Sequence, residues 1–162
     1  MKKVSIEDRL FYFEKSFFTL DGLWMIETEN ETDWETALKI DLLVWKRLLK
    51  IIIRRIKNHL HLDSNNLKDL MEILTFRWTV EGWDYDVLKN ERNEAIVRIN
   101  SCHYISIMER NPDRKEKVPL ICKNMCIPFY EAIVKDFNPN IKVERDKFIG
   151  LGDEICNFTF KE

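Results

Sequence analysis

The hydrophobic period of the chain changes at Thr75, and that change limits the fold more than any single motif. Up to Leu74, apolar residues recur every three or four positions, the spacing of a buried helix face. Leu10, Phe13, Phe17, Leu20 and Trp24 form one such stripe; Trp34, Leu38, Leu42, Trp45, Leu49, Ile52 and Ile56 form a second. From Thr75 the run T-F-R-W-T-V-E-G-W-D-Y-D-V-L alternates and is rich in β-branched and aromatic residues, which predicts strands. Helices first and antiparallel strands later indicate an α+β fold.

Local signals place the elements. Ser5, with an acid three residues on, predicts the N-cap of a first helix that passes through Gly22, a site suited to close approach by another element. Asp21 sits at the edge of that helix's apolar stripe. The acidic segment from Glu27 to Asp33 reads as a loop, and Thr32 with Glu35 as a capping box opening a second helix that ends near His59. A third helix carries Leu67, Leu70, Met71 and Leu74. Phe76, Trp78 and Val80, then Trp83, Tyr85 and Val87, predict a strand with Gly82 as a bulge or bend. Ala95, Val97 and Ile99 predict the return strand, ending on Cys102 and His103. After a short helix at Tyr104–Arg110 and a polar connection, a helix is expected from Val118 to Phe137, kinked by Pro128. A final hairpin carries Ile141, Val143 and Arg145 on one strand, turns at Gly150–Asp153 and returns through Phe160. The expectation is one domain, residues 1–162. Long N-terminal helices (1–74) pack on an antiparallel sheet of about four strands, with a C-terminal helix-plus-hairpin unit; residues 75–162 form the α+β part that bears the ligand or metal site.

Charge and composition exclude several classes. With 26 basic and 28 acidic residues the net charge is −2, which offers no electrostatic case for nucleic acid or an anionic membrane. No apolar run approaches the roughly 18 residues of a membrane span. Charged residues follow Met1-Lys2-Lys3-Val4 at once, so no secretory signal is expected and the chain reads as cytoplasmic. In that compartment four cysteines are thiols or metal ligands rather than disulfides. No Walker A, Rossmann glycine pattern, G-x-S-x-G or H-E-x-x-H is present, so no nucleotide-cofactor motif is found. Ten Phe and five Trp exceed what a minimal core needs; they fill a core or line an apolar pocket.

All four cysteines lie in the last third of the chain. Cys122 and Cys126 are at helical i,i+4 spacing, Cys102 and His103 close a strand, and Cys156 begins the last one. Soft ligands from separate elements can form a tetrahedral zinc site, so Cys102, His103, Cys122, Cys126 and Cys156 are the candidate metal ligands. Two other readings stand beside this one. Cysteine also behaves as a small buried hydrophobe, and a thiolate paired with His103 from another element would be a nucleophile.

The helix bearing Cys122, then Tyr130-Glu131-Ala132 and the run from Lys147 to Phe158, resemble the 4-vinyl-reductase domain found in phenol-responsive sensor proteins. That resemblance implies zinc held by Cys122 and Cys156. The family's two intervening ligands fall near Arg145 and Phe148, which cannot serve, so Cys126, Cys102 or His103 would substitute. Leu20–Trp24, Ala37–Trp45 and Phe137–Val143 make the whole chain similar to short archaeal and bacterial proteins of unknown function, related in turn to aminothiazoline-carboxylate-hydrolase-like proteins. The implied protein is a binding domain for a small apolar or aromatic molecule, akin to vesicle-tethering and nitric-oxide-sensing domains, that forms a homodimer through its N-terminal helices. The implied alternative is an enzyme of the reductase or hydrolase type acting through a cysteine or metal.

Overall fold

The computed structural model describes residues 3–162. Contacts divide the chain into two compact units, one ending at Leu43 and the other spanning Val44–Glu162.

In the first unit, α1 (Ile6–Glu31) opens on a capping box: Ser5 Oγ accepts from the Asp8 N–H at 3.1 Å, and the Asp8 carboxylate accepts from the Ser5 N–H at 3.0 Å. The helix passes Gly22 unbroken, and among the described residues nothing lies within 4 Å of where a Cβ would stand there, so no element approaches closely. It also runs through most of the segment that composition assigns to a loop, so the break is confined to Thr32 and Asp33. The Thr32 hydroxyl is turned back onto the Thr28 carbonyl at 2.5 Å. Asp33 therefore caps α2 (Trp34–His59): its carboxylate accepts from both the Thr36 N–H and the Thr36 hydroxyl, each at 2.8 Å. The apolar stripe of α1 is not a buried face. Leu10, Phe13, Leu20 and Trp24 are between 58% and 67% exposed, and Met25 is the buried residue of the helix.

In the second unit the later turns of α2 bury Trp45, Leu49 and Ile56. α3 (Leu67–Val80) is capped by the Asn66 side chain, which accepts from the Asp69 N–H at 2.9 Å, and buries Leu67, Leu70, Met71 and Leu74. It then continues through Phe76–Val80, where alternation predicts a strand. The reason is packing: Ile73, Leu74, Arg77 and Trp78 fall on one helical face and are all buried, and tertiary burial overrides β propensity. Gly82, at φ +74°, closes this helix instead of forming a bulge, and the Trp83 N–H reaches back to the Trp78 carbonyl at 2.9 Å.

The sheet contains β1 (Asp84–Asn90), β2 (Glu94–Ser101), β3 (Lys142–Glu144) and β4 (Cys156–Lys161), antiparallel throughout in the order β1-β2-β4-β3. Register sets Ala95, Val97 and Ile99 opposite Phe160, Phe158 and Cys156, all six on the buried face. Between β2 and β3 run α4 (His103–Met108), a helical turn α5 (Pro112–Lys115), α6 (Val118–Ile121), a π-helical turn (Cys122–Cys126) and α7 (Ile127–Phe137). The expected kinked helix is thus one helical run with a π turn inserted. Pro128 has no N–H to give, and the Ile127 N–H bonds the Cys122 carbonyl five residues earlier. The α+β class, the long N-terminal helices, the four-stranded sheet and the C-terminal helix and hairpin follow the sequence reading.

Candidate functional site

The π turn and the β3–β4 connection bring the four cysteines into one neighbourhood, all as free thiols. Their surroundings differ. Cys122 packs with Ile105 and Val118, and Cys102 lies against that cluster with Met108 and Ile149. These two are small core hydrophobes in this setting, and burial pushes both thiols up to about 12. The packing at Cys122 is so close that a Cβ added to Gly150 would collide with its Sγ. Cys156, at the start of β4, is buried; its Sγ accepts from the Ile149 N–H at 3.2 Å, and its thiol is pushed up by burial. Raised thiols work against the thiolate chemistry that a nucleophile needs. His103 starts α4 beside the Gly82 turn, 3.7 Å from where a Gly82 Cβ would sit.

Cys126 is set apart. At the end of the π turn it is half-buried, and its Sγ accepts from Arg145 Nη1 at 3.2 Å. Arg145 follows β3, where it continues the inward alternation of Ile141 and Val143. Its Nε donates to the Asn157 carbonyl at 3.1 Å. Its guanidinium lies over the rings of Phe158, Phe148 and Tyr130, with centroids at 3.9, 4.6 and 5.4 Å. The cation that the cysteine group meets is therefore this guanidinium. Among the described residues no three His, Cys, Asp or Glu side chains converge where a metal ion could be held. The Cys126 sulfur is engaged by the Arg145 hydrogen bond.

Beside Arg145 a small recess of about 40 Å³ is lined by Ile127, Tyr130, Glu131, Val143 and Arg145. It sits between the start of α7 and β3, directly after the π turn. The periodicity of the sequence conceals this site because its residues come from two neighbouring elements of different period, the helix α7 and the strand β3 with the residue that follows it. One signal was available: a charged residue extending the apolar alternation of Ile141 and Val143.

A fully buried arginine offers a contrast. Arg77 is 4% exposed and lies over the rings of Trp45 and Phe129. Its Nε bonds the Glu81 carboxylate at 2.7 Å, and Trp83 Nε1 donates to the other Glu81 oxygen at 3.1 Å. Its charge is balanced inside the fold.

The profile of a family of unknown function (DUF6125) matches residues 2–148. No curated protein matches the chain. A solved structure with a similar fold is the trafficking protein particle complex subunit 3 from Naegleria fowleri, covalently bound to palmitic acid. It shares 14% identity, with a TM-score of 0.60 over 91% of this chain and 93% of that one. The resemblance to proteins of unknown function holds at that level, and the fold is similar to that of the trafficking protein particle complex subunit. The 4-vinyl-reductase resemblance gains no support from these matches.

Proposed function

The chain belongs to that family of unknown function, and we propose that it is a binding module for a small apolar molecule. The observation that carries this reading is the fold, shared at a TM-score of 0.60 with a protein described as covalently bound to palmitic acid; the recess beside Arg145 has room for about 40 Å³ and takes at most the end of such a molecule. A protein of similar fold is described as bound to palmitic acid, which supports a long apolar chain as the kind of body that this fold can seat. Binding is favoured over catalysis because burial raises three of the four thiols.

The module acts as a homodimer through α1. Eight large apolar residues of that helix (Ile6, Leu10, Phe11, Tyr12, Phe13, Leu20, Leu23 and Trp24) are each half or more exposed. Large exposed apolar side chains gathered on one element mark an interaction surface. The charges suit self-association: α1 is acidic, whereas α2 from Lys46 to Lys57 carries only basic charges.

Mass spectrometry of an organic extract of the purified protein, with titration of the delipidated protein by palmitic acid, tests the ligand. A stoichiometric apolar molecule, or saturable binding, is the expected result. A protein that purifies empty and binds no apolar probe overturns the reading.

A further inference from the structure

An amphipathic helix in a folded chain turns its apolar stripe inward and its polar side to water. α1 does the reverse. The side of it that is partly or fully covered holds Asp8, Glu14, Asp21, Thr28 and Glu29 beside Phe18, Met25 and Ile26. The open side holds Ile6, Leu10, Phe13, Phe17, Leu20 and Trp24, of which all but Phe17 are more than half exposed.

These six follow one another at alternating steps of four and three residues, the heptad spacing of the seam between paired helices. The repeat stops at Glu27, where the next seam position carries a charge. The open area of the six is on the order of 700 Å², taking roughly 200 Å² for a large apolar side chain. Each partner gives about 800 Å² to an interface of standard size. A helix with the same repeat fits such a seam, and α1 of a second copy has it.

Charge sets the direction of the pair. With Leu10, Phe17 and Trp24 at the a positions of the heptad, the e positions hold Glu7, Glu14 and Asp21, and the g positions hold Arg9, Ser16 and Leu23. Antiparallel pairing sets e against e, so acids face acids along one flank. Parallel pairing sets g against the following e. Arg9 of each copy then faces Glu14 of the other, and no two acids are opposed.

We propose that two copies of the chain pair through α1 as a parallel, in-register helix pair, with the seam of residues 6–24 at its centre and Arg9 against Glu14 of the second copy at its flanks. This rests on the homodimer proposed above and adds its direction and register: both chains leave the pair at the Glu31 end.

Single cysteines placed on the seam of the full chain read the direction. Parallel pairing brings every seam position against its own counterpart, whereas antiparallel pairing does so for one position at most. Ile6→Cys, Phe13→Cys and Leu20→Cys stand at exposed positions that the single chain tolerates. Each is expected to give about fivefold or more disulfide-linked dimer under mild oxidation by diamide than the wild type, which controls for the four native thiols. Lys15→Cys, on the opposite side of the helix, is expected to stay at the wild-type level. A dimer that links at one of the three positions alone, at none of them, or only in a mixture of Ile6→Cys with Leu20→Cys overturns the parallel arrangement and leaves the dimer standing. A wild-type chain that sediments as a monomer overturns both.

Discussion

The indole N–H of Trp78 donates to the hydroxyl of Tyr130 at 2.8 Å, tying α3 to α7 through the core of the larger unit. Both side chains are essentially inaccessible, and the Phe158 ring packs against each of them, at 5.3 and 4.6 Å between centroids. Tyr130→Phe keeps the ring but leaves the Trp78 N–H buried without an acceptor. The expected cost is about 1–3 kcal/mol, read as a lower urea midpoint at unchanged slope. Unaltered stability would show that the bond is replaced by another acceptor.

Gly150 and Cys122 form a second close relationship, argued from space rather than polarity. An added Cβ at Gly150 collides with the Cys122 sulfur and stands 3.1 Å from Val118 Cγ1. Gly150→Ala should destabilise by about 1–3 kcal/mol through overpacking. Cys122→Ala removes the sulfur, so the double variant should lose less than the sum of the two single losses. A double-mutant cycle from thermal or denaturant unfolding measures that coupling, and strict additivity would show that the collision is relieved elsewhere.

How much of this was legible in the sequence follows from what each signal reports. Periodicity finds faces that differ in polarity, so it located α2, α3 and the buried face of β2 through Ala95, Val97 and Ile99. It failed where local preference and packing disagree: Phe76–Val80 has strand composition, but Arg77 and Trp78 are drawn into the core on a helix. It also reports that α1 carries an apolar stripe without saying what covers it, and in the single chain that stripe is exposed. The sequence singled out the cysteines as candidate metal ligands; their different surroundings were not readable, because spacing alone does not show that a π turn carries Cys126 to Arg145.

The exposed α1 stripe yields a prediction about assembly. Leu20→Asp and Phe13→Asp place charge at residues that are each 67% exposed, so the fold of one chain should tolerate them. In a homodimer built on this face either change buries an unpaired carboxylate and should weaken association by about tenfold or more. Sedimentation velocity across a concentration series checks this. A wild-type chain that stays monomeric at high concentration removes the dimer from the proposed function.

The last prediction concerns pH and lies in the smaller unit. Asp41 is 6% exposed and its carboxyl is pushed up to about 7, first by burial and then by the negative charge of Asp21. In the unfolded chain an aspartate titrates near its ordinary value of about 3.9. Between these two values the folded state holds a proton that the unfolded state has released. The stability that Asp41 contributes is therefore fully present below about pH 4, falls as pH rises toward about 7, and is flat above that. Asp41→Asn carries no such proton and should remove this decline, so that the variant exceeds the wild type by about 1–3 kcal/mol near pH 8, the two converging near pH 4. Asp21→Asn, which leaves the burial of Asp41 in place, should recover only part of the difference. Urea unfolding across the pH series reads both effects. The comparison with wild type cancels the opposite slope from carboxyls held below their ordinary range, such as Asp86 through its hydrogen bonds with Arg98 and Asn100. A variant that tracks the wild-type profile at constant offset would exclude Asp41 as the titrating group.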